Sequence, residues 1–508
     1  MPLFGIETEY GITREDLSEV DPVVESMELV RAHLTASFER RWDYTGEDPH
    51  EDARGFRVSG LAQDKEEDEF ARLDRHRPFS FHDMKSDLVL PNGARFYNDH
   101  THPEYSTPEC RTLKSLVAHE RAGERIIQRA ADRRNKSLGG QVVQLYKNNT
   151  DFHGHSYGCH DNYLVPRSVP FPTLVAGLLP FLVSRQVITG AGKVGVEAQE
   201  SGFVPGRYQL SQRADFMETE LSVDTMHNRP ILNTRDEPHA DHAQYRRLHL
   251  IIGDANMCEY ATALKVGTTQ LVLDLIARGA MPHMELEHPV AAVKQVSRDA
   301  DLNTTVRLKD GRSLSAVDIQ ESYWEAARRT LAGSDEESDW VLNEWREVLS
   351  LLVQDRSRLV GKLDWVTKQW LLETFMREER IGWSDPWLMS LDLEYHNVNP
   401  GRGLYLELEA QGKVSRITTD VDIEGALVAG PTDTRGGLRG LCIRRFPDHI
   451  KGMQWERIQF AGGVRAQTLE MGDLFEPSEV RACAEIFEQA ASPAEALKVW
   501  NKRKEVVS

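Results

Sequence analysis

NGARFYNDHTHPEYSTPE, residues 92–109, is the stretch around which the rest of the chain can be read. An Asn92-Gly93 turn leads into a short run, 94–99, that reads as a strand. Alternate side chains of a strand share a face, so Arg95, Tyr97 and Asp99 point together while Phe96 and Asn98 point the other way. Glu104 follows five residues after Asp99, with His100 and His102 beside it. A guanidinium, a phenol and carboxylates do not make a core-facing strand, because buried charges need partners. The pattern alone fits either a salt-bridged solvent face or a functional site.

The N-terminus adds to it. Residues 5–11 read GIETEYG, a second short strand with Glu7 and Glu9 on one face and Ile6 and Thr8 on the other. With no charged leader and no long apolar stretch, it is not expected to be a signal peptide. Like charges about 4 Å apart repel by roughly 4 kcal/mol at an effective dielectric near 20. A cluster of Glu7, Glu9, Asp99 and Glu104 therefore requires a cation. Ligands that are all oxygen favour Mg²⁺ or Mn²⁺ over zinc.

Bulk properties narrow the class. The 508 residues carry a net charge of −19, which argues against a general nucleic-acid binder with its basic face. The longest apolar run, 173–183, contains Pro180 and is too short to span a bilayer. Cys110, Cys159, Cys258, Cys442 and Cys483 are scattered and lack a CxxC pair. Free thiols in a reducing cytoplasm are the expectation. Cys159 precedes His160, but adjacent strand residues face opposite ways, which argues against a Cys-His nucleophile.

Along the chain, 23–44 shows a helical pattern ending near Arg40-Arg41. Residues 45–86 form a long connection rich in charge and poor in aliphatic residues, as a functional or mobile insertion would be. The pattern predicts a helix over 112–136, a strand over 141–146, and a buried helix followed by strand over 170–187. A long apolar helix is expected over 256–278, stopped by Gly279. Helices recur over 316–381, where Trp324, Trp340, Trp345, Trp365 and Trp370 read as core. Ser156, Gly158, His160 and Asn162 share a face. Arg246 and Arg247 read as ordinary surface ion pairing. His239 and His242 lie three apart, the spacing of a zinc pair on a helix, but without a third ligand.

GIETEYG, NGARFYNDHTHPEYS, SYGCHDNYL and TRDEPHADHAQYRRLH together resemble the Pup deamidase/depupylase and Pup ligase family, from residue 3 to about residue 460. The resemblance implies a carboxylate–amine ligase (glutamine-synthetase-like) fold and ATP with Mg²⁺ as cofactors. It implies Glu7, Tyr97 and Glu104, with Glu9 beside them, at the metal, and Asp99 as the catalytic aspartate. Arg95, Thr107 and Trp455 match ATP contacts, with Trp455 packing on the adenine. His160 takes a nucleotide or metal role on the same grounds. Arg213, Arg235 and His239 are candidates for phosphate contacts, since triphosphate charge needs fixed cations. Arg435 and Arg439 lie in a Gly-rich stretch where backbone could approach a nucleotide. Thr107 has a competing reading as a helix cap before Pro108.

The expected fold is α+β. A catalytic domain over 1–430 has a curved, mainly antiparallel sheet backed by helices, with a mobile insertion at about 45–86. A small C-terminal domain follows over 431–508. The expected activity is hydrolysis at the C-terminal Gln/Glu side chain of Pup, a small, disordered, acidic protein. That covers deamidation and cleavage of the isopeptide to lysine. Ligation is the nearest alternative. A zinc peptidase on His100, His102 and Glu104, and an inactive nucleotide-binding scaffold, are the others. No nucleic acid and no membrane partner is expected. The long stretch before Asp99 and the string RWDYTGEDPHEDARGF at 41–56 resemble the hydrolase branch, whereas YGCHDNYLV and GDANMCEY read closer to the ligases.

Overall fold

Six strands place both acidic runs in one antiparallel sheet: β1 (Phe4–Glu9), β2 (Leu88–Val89), β3 (Arg95–Asp99), β4 (His102–Ser106), β5 (Cys159–Pro166) and β6 (Tyr245–Leu250). Their order is β6-β5-β1-β4-β3-β2. The structure is a computed structural model that describes residues 3–16, 20–34, 42–62, 72–140, 142–195, 206–462 and 467–507. β3 and β4 form a hairpin whose two loop residues are His100 and Thr101, so Asp99 faces His102 and Tyr97 faces Glu104. His100 takes the left-handed conformation there, at φ 55°. β1 lies between β4 and β5, with Glu9 opposite Glu104 and Glu7 opposite both Ser106 and His160.

The two-residue period sorts the sheet into two faces. Phe4, Ile6 and Thr8 of β1 are buried, while residues 5, 7 and 9 are half-buried. Phe4, Ile6, Tyr163, Val165, Leu248 and Leu250 turn toward one large apolar core. That core is completed by helices, which gives the α+β architecture. The principal ones are α1 (Pro22–Ala32), α2 (Leu113–Leu138), α3 (Phe171–Thr189), α4 (Glu259–Ala277), α5 (Ala316–Leu331) and α6 (Glu336–Gln354). Trp345 and Trp365 are fully buried in it, and Trp324, Trp340 and Trp370 are half-buried at its edge. All five cysteines are buried and unpaired.

Several sequence expectations change. The helix begun near residue 23 ends at Ala32, and 35–41 lie outside the described residues. Residues 170–187 hold no strand: α3 runs unbroken through Pro180. A mid-helix proline removes one hydrogen bond, and the carbonyl it orphans belongs to Ala176, which is exposed to water. α3 is long and apolar enough to cross a membrane by composition, yet it lies largely buried in the core. Thr107 caps no helix; the cap of α2 is Thr112, whose side chain accepts from the backbone N–H of Ser115. His239 and His242 sit in a loop and not on a helix face. The insertion at 45–86 has ordered contacts at both ends: Asp52 is buried against Arg54 and Thr234, and Tyr44 hydrogen-bonds Asp87 at 2.7 Å. Its centre, 63–71, lies outside the described residues.

A separate apolar cluster joins α7 (Arg435–Arg445), α8 (Pro477–Gln489) and α9 (Pro493–Val507) to three short strands spanning residues 450–470. Trp42 and Val89 from the N-terminal part enter the same cluster. α7 rests on the 91–93 turn at backbone distance. A Cβ on Gly440 would lie 2.3 Å from the Pro91 carbonyl, and one on Gly436 would lie 2.6 Å from the Pro108 side chain. The glycines at 436 and 440 thus serve helix packing. Glu109 fixes the arrangement: it accepts from Arg435 at 3.0 Å and from Arg439 at 2.9 and 2.5 Å. Both guanidiniums are buried. Burial would raise the Glu109 carboxyl, but the Arg439 and Arg435 charges hold it down at about 2. Its stabilising contribution is therefore complete above the ordinary glutamate range and is lost as pH falls toward about 2.

Glu109→Gln leaves two buried guanidiniums without their counter-charge and should cost about 3–5 kcal/mol. Urea unfolding of the variant beside the wild type measures this, and a loss under about 1 kcal/mol would show that the pairing is not what seats α7.

Candidate active site

The open face of the sheet collects the chemistry. Following the register, it carries Glu7 and Glu9 from β1, His102, Glu104 and Ser106 from β4, and Arg95, Tyr97 and Asp99 from β3. β5 adds His160 and Asn162, and β6 adds Arg247 and His249. Carboxylate oxygens of Glu9, Asp99 and Glu104 lie within 4.8 Å of one another. Glu104 accepts from the Tyr97 hydroxyl at 2.7 Å and from Ser106 at 3.2 Å. Burial pushes its carboxyl well above the usual range, and the charges of Asp99, Glu7 and Glu9 push it further. Three convergent oxygens with no nitrogen or sulfur suit one hard divalent ion, whose octahedral bonds of about 2.0–2.1 Å place opposite ligands about 4 Å apart. The donor set fits Mg²⁺.

Glu7 stands in a different environment. It contacts His160 Nδ1 at 3.3 Å, Arg247 at 3.4 Å and His249 Nε2 at 3.5 Å. Burial opposes its ionisation, but these partners hold it well below the usual carboxylate range. Burial and Arg247 push His249 down to about 3. Arg247 also donates to Asn162 at 3.3 Å. Asp99 is held ionised against burial by Lys85, whose ammonium lies 2.5 Å from Oδ1.

Beside these groups lies a cleft between the sheet and α7. Glu7, Thr107, His239, Arg435 and Trp455 line it, together with Glu109, Asn162 and Arg247. Thr107 Oγ accepts from the backbone N–H of Ile6 at 3.0 Å. Trp455 meets Trp42 edge to face, with ring centroids 5.1 Å apart, and the Arg439 guanidinium lies 4.8 Å over its ring. Pro238, His239 and Trp455 also border a second, larger cleft of about 1140 Å³, whose wall includes Glu47, Asp48, Asp236 and Glu237.

The remaining residues singled out in the sequence lie around the cleft, not in its wall. Arg95 is buried between Trp42 and Tyr97, 4.3 and 3.8 Å from their ring centroids. It gives two hydrogen bonds to Asp87, at 2.9 and 2.6 Å, and one to Tyr44 at 2.8 Å. Arg235 pairs its backbone with Asp52 and donates to the Val223 carbonyl at 3.2 Å. Arg213 is buried beneath the face and donates to the Tyr157 carbonyl; burial pushes it down to about 10. His102 stacks on Tyr157 at 4.4 Å and His100 is exposed. His100, His102 and Glu104 do not form a metal group among the described residues, whereas Glu7, His160 and His249 do.

Arg247 corrects the reading of a surface ion pair: it faces the cleft, while Arg246 lies on the other side of β6 against Phe171. The alternation Tyr245, Arg247, His249 carried the signal. Lys85, Asp87 and Glu109 were not foreseen. Nothing local marks them, since each acts on a partner from another strand or helix.

The chain is similar to proteins whose names concern one small modifier. A family profile described as "Pup-ligase protein" matches residues 2–459. The "Depupylase" of Acidothermus cellulolyticus is 43% identical over 90% of both chains. The "Pup deamidase/depupylase" of Mycolicibacterium smegmatis is 43% identical over 92% of this chain and 94% of its own. The "Pup--protein ligase" of Acidimicrobium ferrooxidans is 45% identical over 74% of this chain and 84% of its own. Among solved structures, the complex between prokaryotic ubiquitin-like protein Pup and its ligase PafA has a TM-score of 0.77 at 35% identity, over 96% of this chain and 93% of that one. The Pup ligase PafA in complex with ADP has a TM-score of 0.73 at 36% identity, over 89% and 99%. With nine-tenths of its length matched by the family profile, this chain belongs to the Pup-ligase protein family.

Proposed function

We propose that this chain is a nucleotide- and Mg²⁺-dependent hydrolase of the Pup C-terminal side chain. It removes the amide of Pup-Gln and cleaves the isopeptide that joins Pup to a target lysine. The observation that carries the reading is Asp99. Its carboxylate stands half-exposed at the open end of β3, held ionised by Lys85 and adjacent to the Glu9–Glu104 group.

Glu9, Glu104 and Tyr97, with Glu7 on the neighbouring side, would hold the metal. When bound, Mg²⁺ supplies the charge that lets phosphate oxygens and carboxylates share the face. Thr107, His239, Arg435 and Trp455 would bind ATP or ADP, because they line the cleft between the sheet and α7. His160, Arg95 and Arg235 would act from its margin, and Arg213 from below. Residues 431–508 would form a small domain closing one end of the cleft over the adenine. Asp99 acts on the side-chain carbonyl of Pup. A carboxylate oxygen attacks the carbonyl carbon, the C–N bond breaks, the leaving amine takes a proton, and water then releases Pup. Activation of a water by the same carboxylate gives identical products.

The reading of hydrolysis is supported by the share of this chain that its sequence relatives cover, while the ligase PafA in complex with Pup covers 96% of it in structure. The depupylases align with 90–92% of this chain and the ligases at comparable identity with 74–82%. The long connection between β1 and Asp99, with its ordered flanks against Arg95 and Asp99, belongs to the same reading. Free buried thiols fit a reducing cytoplasm.

Three results follow. Glu104→Ala should abolish Mg²⁺-dependent ADP binding in calorimetry, and unchanged affinity would remove Glu104 from the metal group. Asp99→Asn should keep the melting temperature and nucleotide affinity but lower turnover by roughly a thousandfold or more. Incubated with a Pup–lysine conjugate and ATP, the wild type should release Pup. Conjugate formation from free Pup-Glu, ATP and a target protein, without release in the first assay, would establish a ligase.

A further inference from the structure

The short helix Phe81–Lys85 ends directly over the reacting carboxylate. Its start is fixed by a capping box, Ser80 with Asp83. The chain then reverses at Ser86, in the left-handed conformation at φ 47°. That turn is tied to α1: Arg31 donates to Ser86 Oγ at 2.9 Å and to the Asp83 carbonyl at 3.0 Å. The reversal directs Lys85 and Asp87, two residues apart, at two positions of β3. Lys85 reaches Asp99, and Asp87 takes Arg95 through both Nε and Nη2.

The Lys85 ammonium bonds Oδ1 of Asp99 and lies 5.6 Å from the centre of the Tyr97 ring. Oδ2 accepts no hydrogen bond from the described residues. One oxygen is thus fixed and the other is open.

We propose that Lys85 is a positioning residue that fixes Oδ1 of Asp99 and presents Oδ2 to the substrate carbonyl. The segment 81–87 thereby sets Asp99 through Lys85 and Arg95 through Asp87. The inference rests on the reading of Asp99 as the reacting carboxylate, whichever direction the reaction runs.

The test compares Lys85→Met, which keeps the aliphatic stem and removes the charge, with Lys85→Arg and Asp87→Asn in the full-length protein. Lys85→Met should lower kcat roughly 10- to 100-fold, the scale of a misplacement near 1 Å. KM for the Pup–lysine conjugate and the calorimetric Kd for ADP with Mg²⁺ should stay within about twofold. Lys85→Arg should recover most of the loss, and added ethylammonium should partly restore Lys85→Met. Asp87→Asn should instead weaken ADP binding, because it releases Arg95. A wild-type kcat in Lys85→Met overturns the proposal. So does a loss that follows a fall in melting temperature and is not recovered by arginine. Both cleavage and ligation are assayed. The wild-type rates decide the direction of the reaction, whereas the ratio of Lys85→Met to wild type in the active direction decides the role of Lys85. Wild-type turnover by Asp99→Asn would remove the reading of Asp99 itself.

Discussion

Crowding of negative charge on one sheet face is the constraint on which the rest of this structure depends. Glu7, Glu9, Asp99 and Glu104 come from three adjacent strands and cannot all ionise at short range without compensation. The protein offsets two of them with its own side chains. Arg247 and His160 hold Glu7 ionised, and Lys85 holds Asp99. Glu104 receives only hydroxyl donors, and burial beside three carboxylates pushes it up.

The same economy shapes the cleft between the sheet and α7. Its floor is the sheet, whose strands are fixed by backbone hydrogen bonds and a continuous apolar core beneath. Its wall is α7, which approaches Pro108 and the 91–93 turn so closely that glycine is required at 436 and 440. Glu109 then binds both arginines that α7 turns inward. A buried pair of this kind adds little net stability against an apolar substitute, but removal of one member is costly. It therefore serves chiefly to hold α7 in one place. Trp455, carried by the turn after the first strand of the small sheet, meets Trp42 from the other end of the chain. The cleft wall is consequently built from residues hundreds of positions apart.

Much of this was legible before any coordinates. The alternation Arg95, Tyr97, Asp99 and the alternation Glu7, Glu9 each predicted a polar strand face, and the sheet has both on the same side. The five-residue step from Asp99 to Glu104 became a two-residue hairpin, which sets Glu104 opposite Tyr97. The helix over 113–138 and the buried tryptophans Trp345 and Trp365 followed from periodicity. The reading failed at α3, where a helix followed by strand was expected and one helix runs throughout. It failed again at Arg247, where a charged pair was taken as solvent-facing.

The sequence alone determined which side chains share a strand face, because that follows from a backbone period of two residues and needs no knowledge of neighbours. It determined that the acidic runs need positive charge, because Coulomb repulsion depends only on their coming together. The tertiary structure decided where that charge comes from. Lys85 reaches Asp99 across a left-handed turn, Arg247 reaches Glu7 from a strand more than two hundred residues away in sequence, and Arg435 and Arg439 reach Glu109 from a C-terminal helix. None of these partners has a local pattern, since an ion pair is satisfied by distance in space and leaves no period along the chain.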